Sequence, residues 1–316
     1  MNILVTGAMG HIGYSFCLYA KKNNHNIITT INKTKDKKKL EVLKSNKIQV
    51  IKLDINSKVQ VRNTLLKKKI DCVVHSAAVS HEIYAKKNPK NTYDVNSLSP
   101  LLILSEIKKI NKKIKFINVS TGSVFQDIKN SNKIEEIVTP TPKSLYSTTK
   151  RLGEVIVSHF NKNEKVNCAT MRISWVYGPP VRVNSLVIQR GPIPIILNQL
   201  LKEKKKKFSL KSGNDFRASF TYIEDVSKNL LKLIKENKKL DDIYHLGTGK
   251  NNKLIEIFSI LKSIDNKIKF KIGKGSKPWS NDSVMRGPLF SKNNFLKCEY
   301  SLKKGLKKYY HWYKND

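Results

Sequence analysis

Four cysteines in 316 residues, Cys17, Cys72, Cys168 and Cys298, are too few and too scattered for a disulfide framework. None forms a CxxC pair or a zinc-ligand spacing, so no metal site and a reducing, cytoplasmic setting are the expectation. Long apolar runs are also lacking. No stretch approaches the roughly 20 residues that a membrane-spanning helix needs, so no membrane partner is expected. The opening residues Met1-Asn2-Ile3-Leu4-Val5 run straight into a strand-like segment without a basic-apolar-small leader, which argues against a secretory signal. Acidic residues number 24 against 61 lysines and arginines, a formal net charge of +37. Arginine is scarcer still: only Arg62, Arg151, Arg172, Arg182, Arg190, Arg217 and Arg286 are present, and the other 54 cations are lysines. A surface that reads nucleic acid would use the forked guanidinium more heavily. The lysines fall in short runs such as 37–39, 67–69 and 204–207, which read as solvated faces. No specific nucleic-acid partner is expected, only nonspecific attraction to polyanions at low salt.

What is present is enough apolar material for a sizeable core, with 39% hydrophobic and 8% aromatic residues. Strand-like runs at 3–5, 27–31, 50–53, 72–75, 116–120 and 168–173 are each followed by room for a helix. That alternation predicts an α/β fold, a doubly wound parallel sheet with helices on both faces. Residues 244–247 read as a late strand returning to the sheet. After Tyr177 the pattern breaks at Gly178-Pro179-Pro180 and Gly191-Pro192-Ile193-Pro194. Helices are expected over 195–207 and 295–313, with a loop-rich stretch over 273–288. The expected division is a Rossmann-type domain over 1–172 and a smaller, irregular substrate-binding region over 173–316.

Thr6-Gly7-Ala8-Met9-Gly10-His11-Ile12-Gly13 follows the first strand and opens a helix. A phosphate needs unshielded backbone N–H groups, and a helix N-terminus adds a favourable dipole. Gly7 suits the tight turn, Gly10 the approach of a pyrophosphate, and Gly13 the close packing of helix on strand. Further along, Tyr146-Ser147-Thr148-Thr149-Lys150 places a phenol and an ammonium at i and i+4 on one helix face. A phenol ordinarily titrates near 10. A neighbouring ammonium is expected to lower that value and let Tyr146 exchange protons as general acid or base. Thr121, with Ser120 and Ser123 as alternatives, sits just beyond a strand and offers a hydroxyl.

The Gly-x-x-Gly-x-x-Gly spacing together with Tyr-x-x-x-Lys resembles the extended short-chain dehydrogenase/reductases, the NAD-dependent epimerase/dehydratase superfamily, over most of the chain. The resemblance implies that Gly7, Gly10, His11, Ile12, Gly13, Asp54, Ile55, Ala77, Ala78 and Asn96 lie along a dinucleotide. Asp54 would meet the adenine amino group, although its residue type fits a turn equally well. Lys150 would also meet the nicotinamide ribose, and Thr121 would hydrogen-bond the substrate oxygen. At the end of the second strand no carboxylate precedes Asp36. Asn32 and Lys33 stand there instead, favouring NADP(H), with NAD(H) the alternative.

Several strings resemble the dTDP-4-dehydrorhamnose reductase branch: Val95-Asn96-Ser97-Leu98-Ser99-Pro100, Arg172-Ile173-Ser174-Trp175-Val176-Tyr177-Gly178 and Phe220-Thr221-Tyr222-Ile223-Glu224-Asp225. They imply NAD(P)H-dependent reduction of the C4 ketone of a nucleotide-linked deoxysugar. Gly122 departs from that branch, which has Asp after the Ser-Thr pair. The alternatives are a nucleotide-sugar 4-epimerase or a non-catalytic, cofactor-binding regulatory subunit. Gly122-Ser123 lacks the extra acid/base pair that a 4,6-dehydratase needs. Arg182, Arg217 and Arg286 are expected to face the substrate diphosphate, because bidentate phosphate binding is work that lysine does poorly. A homodimer through paired helices is the family default.

Overall fold

The computed structural model describes all residues except 33–35, 127, 129–131, 181–190, 203–206, 278–286, 293–294 and 316. In chain order the elements begin β1 (Asn2–Thr6), α1 (His11–Lys22), β2 (Asn26–Ile31), α2 (Lys37–Ser45), β3 (Gln49–Lys52), α3 (Lys58–Lys67) and β4 (Cys72–His75). Next come α4 (Glu82–Lys87), α5 (Pro89–Tyr93), a π-helical turn (Asp94–Leu98), α6 (Ser99–Ile110), β5 (Lys115–Thr121), α7 (Leu145–Lys162) and β6 (Cys168–Ile173). The remainder is β7 (Trp175–Tyr177), α8 (Pro192–Leu197), β8 (Lys207–Leu210), β9 (Arg217–Ala218), β10 (Phe220–Tyr222), α9 (Ile223–Lys235), β11 (Ile243–Leu246), β12 (Asn252–Lys253), α10 (Leu254–Ile264), β13 (Lys269–Ile272) and α11 (Leu302–Asn315).

Seven strands form one sheet in the order β11-β6-β5-β4-β1-β2-β3, the expected Rossmann-type α/β arrangement. The ladders joining β3, β2, β1, β4 and β5 are parallel. β4 and β6 are buried along their whole length, as strands covered on both faces must be. One core cluster joins Leu4, Val73 and Phe116 on the strands to Leu65 on α3, Ile103 and Ile107 on α6, and Val157 on α7. Full burial of a side chain such as Phe116 contributes about 1.5–3 kcal/mol. The connection order places the C-terminal ends of the strands on one edge, where β1, β4 and β5 each deliver a functional segment.

The chain divides into two compact units. The first comprises residues 1–124, 142–172 and 226–244, and the second residues 125–141, 173–225 and 245–316. The second holds three two-stranded ladders, β10–β7, β12–β9 and β13–β8. Its core is aromatic: Tyr177 packs on Phe220, Tyr222 and Tyr309. One expectation is trimmed here. Helical residues run from Pro192 to Lys202, but Lys207, expected as the end of that helix, opens strand β8, which pairs in parallel with β13 just ahead of the stretch expected to be loop. Alternating Phe208 and Phe270 reach one apolar side, where both stack near Phe258. That two-residue period was hidden among lysines.

Candidate active site

Three strand ends and two helices of the first unit build the site. At the end of β1, Gly7 adopts φ +76°, and a Cβ there would lie 2.5 Å from the Ala77 nitrogen. A Cβ on Gly13 would fall 2.5 Å from Ser76 Oγ and 2.7 Å from the Gly7 carbonyl oxygen. Glycine is therefore required at both positions for the loop to lie against the β4 end. Helix α1 begins at Gly10 with no capping side chain, whereas α2, α3 and α7 are capped by Asp36, Ser57 and Ser144. A twelve-residue helix whose N-terminus is left for another acceptor fits the diphosphate of a dinucleotide. His11 and Ile12 form its first turn, both half-buried.

The β4 end is wired to this loop. Ser76 Oγ donates to the Thr6 carbonyl at 2.6 Å, and the Ala77 N–H donates to Thr6 Oγ1 at 3.3 Å. Thr6 Oγ1 and Ser99 Oγ lie 3.0 and 3.1 Å from the two ring nitrogens of buried His75. Burial pushes that imidazole down to about 3, so it is a neutral strut. Asn96 is spent on the adjoining segment. Its amide donates to the Val79 carbonyl at 3.1 Å and to Thr149 Oγ1 at 3.0 Å, while its oxygen accepts the Val79 N–H at 2.9 Å. Asn96 thus braces the Ala77-Ala78 turn through its backbone, and the π-helical turn carries it there.

Helix α7 brings Tyr146 and Lys150 to the β5 end. Ser144 caps it reciprocally with Ser147, and Glu82 of α4 accepts the Tyr146 N–H at 2.9 Å. Thr121 hydrogen-bonds the Tyr146 hydroxyl, and its Oγ1 also meets Ser123 Oγ at 3.2 Å and the Ser123 N–H at 3.1 Å. Lys150 is buried and donates to the Val119 carbonyl at 2.7 Å. Burial pushes its ammonium down to about 8, against the opposing field of Glu154. The phenol behaves opposite to expectation: enclosure pushes Tyr146 up to about 12, with the Thr121 hydrogen bond only partly offsetting it. Desolvation of the phenolate dominates, and the charge of Glu154 adds to it.

Other expected residues are placed as follows. Ser120, expected beside substrate with Thr121, is buried and donates to buried Glu154 of α7 at 2.6 Å. Asp54 is exposed and closes a turn, accepting the Asn56 N–H at 3.0 Å, and Ile55 beside it is half-buried. Asn32 is exposed at the end of β2. Arg217 is exposed on β9, opposite Lys253. Lys33, Arg182 and Arg286 lie outside the described residues. Two residues went unnoticed in the sequence. Gly153 must lack a side chain because a Cβ would meet the Asn96 carbonyl oxygen at 2.5 Å, and its signal is a glycine inside a helix. Glu154 is fully buried one turn after Lys150, and its signal is an acid at i+4 from the lysine on the helix face that carries it.

The chain matches the NAD dependent epimerase/dehydratase family over residues 3–247. It belongs to that family. A putative UDP-glucose 4-epimerase of Methanocaldococcus jannaschii is 28% identical over 324 residues, covering 99% of each chain. The UDP-glucose 4-epimerase of Mycoplasma genitalium is 24% identical over 83% of this chain and 81% of its own. Among solved structures, UDP-glucose 4-epimerase of Thermotoga maritima with UDP-glucose shares the fold at TM-score 0.85 and 22% identity, covering 99% of this chain and 98% of that one. UDP-glucuronic acid 4-epimerase of Bacillus cereus, with UDP-glucuronic acid and NAD, matches at TM-score 0.79 and 24% identity over 99% of both chains. The dTDP-glucose 4,6-dehydratase of Bacillus anthracis with NAD matches at 0.81 and 20%, covering 99% and 96%.

These findings correct two expectations. The relatives are nucleotide-sugar 4-epimerases and a 4,6-dehydratase, not members of the dTDP-4-dehydrorhamnose reductase branch, so net ketone reduction is set aside. The reason is physical. The strings that suggested the reductase are scaffold: Arg172 is buried on Glu154, Asn96 braces a turn, and Trp175 and Tyr177 pack on Phe220. Scaffold residues carry the fold and say little of the sugar. The NADP preference finds no support either, since the bound cofactor in these neighbours is NAD. Among the described residues after β2, Lys39 is tied to the Met9 carbonyl at 2.9 Å and to Asp36 at 3.5 Å.

Proposed function

We propose that the protein is an NAD-dependent nucleotide-sugar 4-epimerase acting on a UDP-linked hexose or hexuronate. The observation that carries this reading is the convergence of Thr121, Tyr146 and Lys150 at the β5 end, in the same unit as an uncapped glycine-loop helix. Bound NAD supplies the redox equivalent that the side chains lack. Tyr146 takes the proton of the sugar C4 hydroxyl while the C4 hydride would pass to NAD, and gives the proton back when that hydride would return to the other face of the C4 ketone, leaving the epimer. Thr121 orients the sugar oxygen toward the phenol. Lys150, held by the Val119 carbonyl, provides positive charge that favours phenolate and opposes the cost of enclosure. No cofactor is consumed, because oxidation and reduction occur on one substrate molecule.

Epimerisation is favoured over dehydration by the neighbours of Thr121. Elimination of water needs a second acid and base, and Gly122 and Ser123 supply neither. Proton NMR of UDP-glucose and UDP-glucuronate incubated with the protein tests the reading. The expected result is the C4 epimer of one of them without added reductant. Conversion to a 4-keto-6-deoxy sugar, or inertness of both toward the NAD-loaded protein, would overturn it.

We further propose a homodimer through α6 and α7, supported by exposed Leu101, Leu152 and Val155 on these neighbouring helices and exposed Leu98 in the π-helical turn that leads into α6. Light scattering is expected to give twice the chain mass, and L101E/V155E a monomer. A wild-type monomer would exclude the pairing.

A further inference from the structure

Resting on Tyr146 and Lys150 as the proton-handling pair, we infer that Glu154 is the positioning residue that holds Lys150 charged and fixes the strand end bearing Thr121. Glu154 lies one turn beyond Lys150 on α7 and is fully buried. Its Oε1 accepts from Ser120 Oγ at 2.6 Å and from Arg172 Nε at 3.0 Å. Its Oε2 accepts from Arg172 Nη2 at 2.8 Å and from Arg151 Nη1 at 3.1 Å.

A carboxylate taken out of water is costly unless its oxygens are met, and here four charge-assisted or hydroxyl donors meet them. The geometry does more than satisfy Arg172. Lys150 grips the Val119 carbonyl and Glu154 grips the Ser120 hydroxyl, so successive residues of β5 are pinned to successive turns of one helix. The next residue is Thr121, which meets the Tyr146 hydroxyl. A shift of the Glu154 carboxylate would therefore move the hydroxyl that orients the substrate.

Glu154 is also the carboxylate whose field reaches both Lys150 and Tyr146. The other groups around the pair are accounted for. On β4, His75 is neutral at ordinary pH. On β6, Arg172 is bound to Glu154 itself. Glu82 on α4 accepts the Tyr146 N–H, and Asp94 in the π-helical turn is paired with Lys90. On α6, Glu106 is held by Arg62 and Lys109, and Arg151 on α7 joins Glu154. Removing the negative charge leaves the burial of the Lys150 ammonium without the carboxylate field that opposes it.

Proton–carbon NMR of the full chain labelled at lysine Cε reads this directly and without substrate. Ordinary lysines titrate near about 10.4. Lys150 stands apart, titrating at about 8. Its signal is identified by its loss in Lys150→Arg. In Glu154→Gln the midpoint is expected to fall by about one unit or more, a tenfold change in the ionisation equilibrium. The alkaline limb of kcat should follow it while KM changes little, and Glu154→Asp should recover most of the shift.

If Glu154→Gln does not fold, Glu154→Gln/Arg172→Met carries the test, because it removes both buried charges together. Against Arg172→Met alone, the double variant should still show the lowered midpoint. An unmoved Lys150 midpoint in Glu154→Gln, or a double variant that titrates as Arg172→Met does, would overturn the inference and leave Glu154 as a partner for Arg172 only. Lack of epimerase activity would instead refute the functional reading and leave the titration result standing.

Discussion

In the first unit the core is aliphatic, built from Leu4, Val73, Ile103, Leu104, Ile107 and Val157, and its buried polar side chains are wired to one another: His75 to Thr6 and Ser99, Asn96 to Thr149, Glu154 to Arg172. In the second unit the core is aromatic, with Tyr177, Phe220, Tyr222 and Tyr309 around short two-residue and three-residue ladders. There buried Asp225 accepts the Glu299 and Tyr300 N–H groups. The difference separates labour. A long periodic scaffold can hold a phenol, an ammonium and a hydroxyl at fixed spacing, while an aromatic cluster fixes shape without fixing protonation.

The comparison predicts that chemistry is lost from one unit and stability from the other. The largest effect is expected for Tyr146→Phe, which should lower kcat by about a thousandfold, within the usual range for a general acid-base. Thermal unfolding should be nearly unchanged. Gly13→Ala comes next. Its Cβ would meet Ser76 Oγ at 2.5 Å and the Gly7 carbonyl oxygen at 2.7 Å. The expected outcome is at least about tenfold weaker NAD binding by calorimetry, with about 1–3 kcal/mol lost from stability by overpacking.

Gly305→Ala is the counterpart in the second unit. Its Cβ would fall 2.1 Å from Tyr177 Oη, inside the aromatic core. A similar loss of about 1–3 kcal/mol in chemical denaturation is expected, with NAD affinity unchanged. If it weakened NAD as Gly13→Ala does, the division of labour would fail.

The pH dependence is smaller. Lys150 has a depressed value of about 8, so it is an ammonium below that pH and neutral above it. Turnover should decline as pH rises through about 8. The burial cost of the ammonium is felt below that pH and relieved between it and the ordinary lysine value, so this group makes folding more favourable with rising pH over that window. The smallest effect is assigned to Arg217→Ala, proposed to weaken UDP-sugar binding a few-fold and leave NAD binding intact.

Where the sequence was legible, its residues carried a period or a spacing with a mechanism. The parallel sheet could be read from apolar runs such as 72–75, and the Tyr146, Lys150 and Thr121 set from a helix repeat and a strand end. The aromatic unit was opaque because Phe208 and Phe270 pair only after the chain has folded between them. Ser120 was assigned to the substrate because nothing local in the sequence marks Glu154 as the partner of its hydroxyl. The phenol shift was misjudged because desolvation is a property of the packed state. The reductase assignment followed strings that turn out to be structural, and nothing local in them encodes which way the redox balance runs.

The most direct test follows a deuterium placed at C4 of the UDP-sugar while the NAD-loaded protein interconverts the epimers. The account predicts that the label stays at C4 of the product, with no exchange into solvent and no consumption of added NADH or NADPH. Loss of the label from C4, or stoichiometric consumption of reduced cofactor, would contradict it.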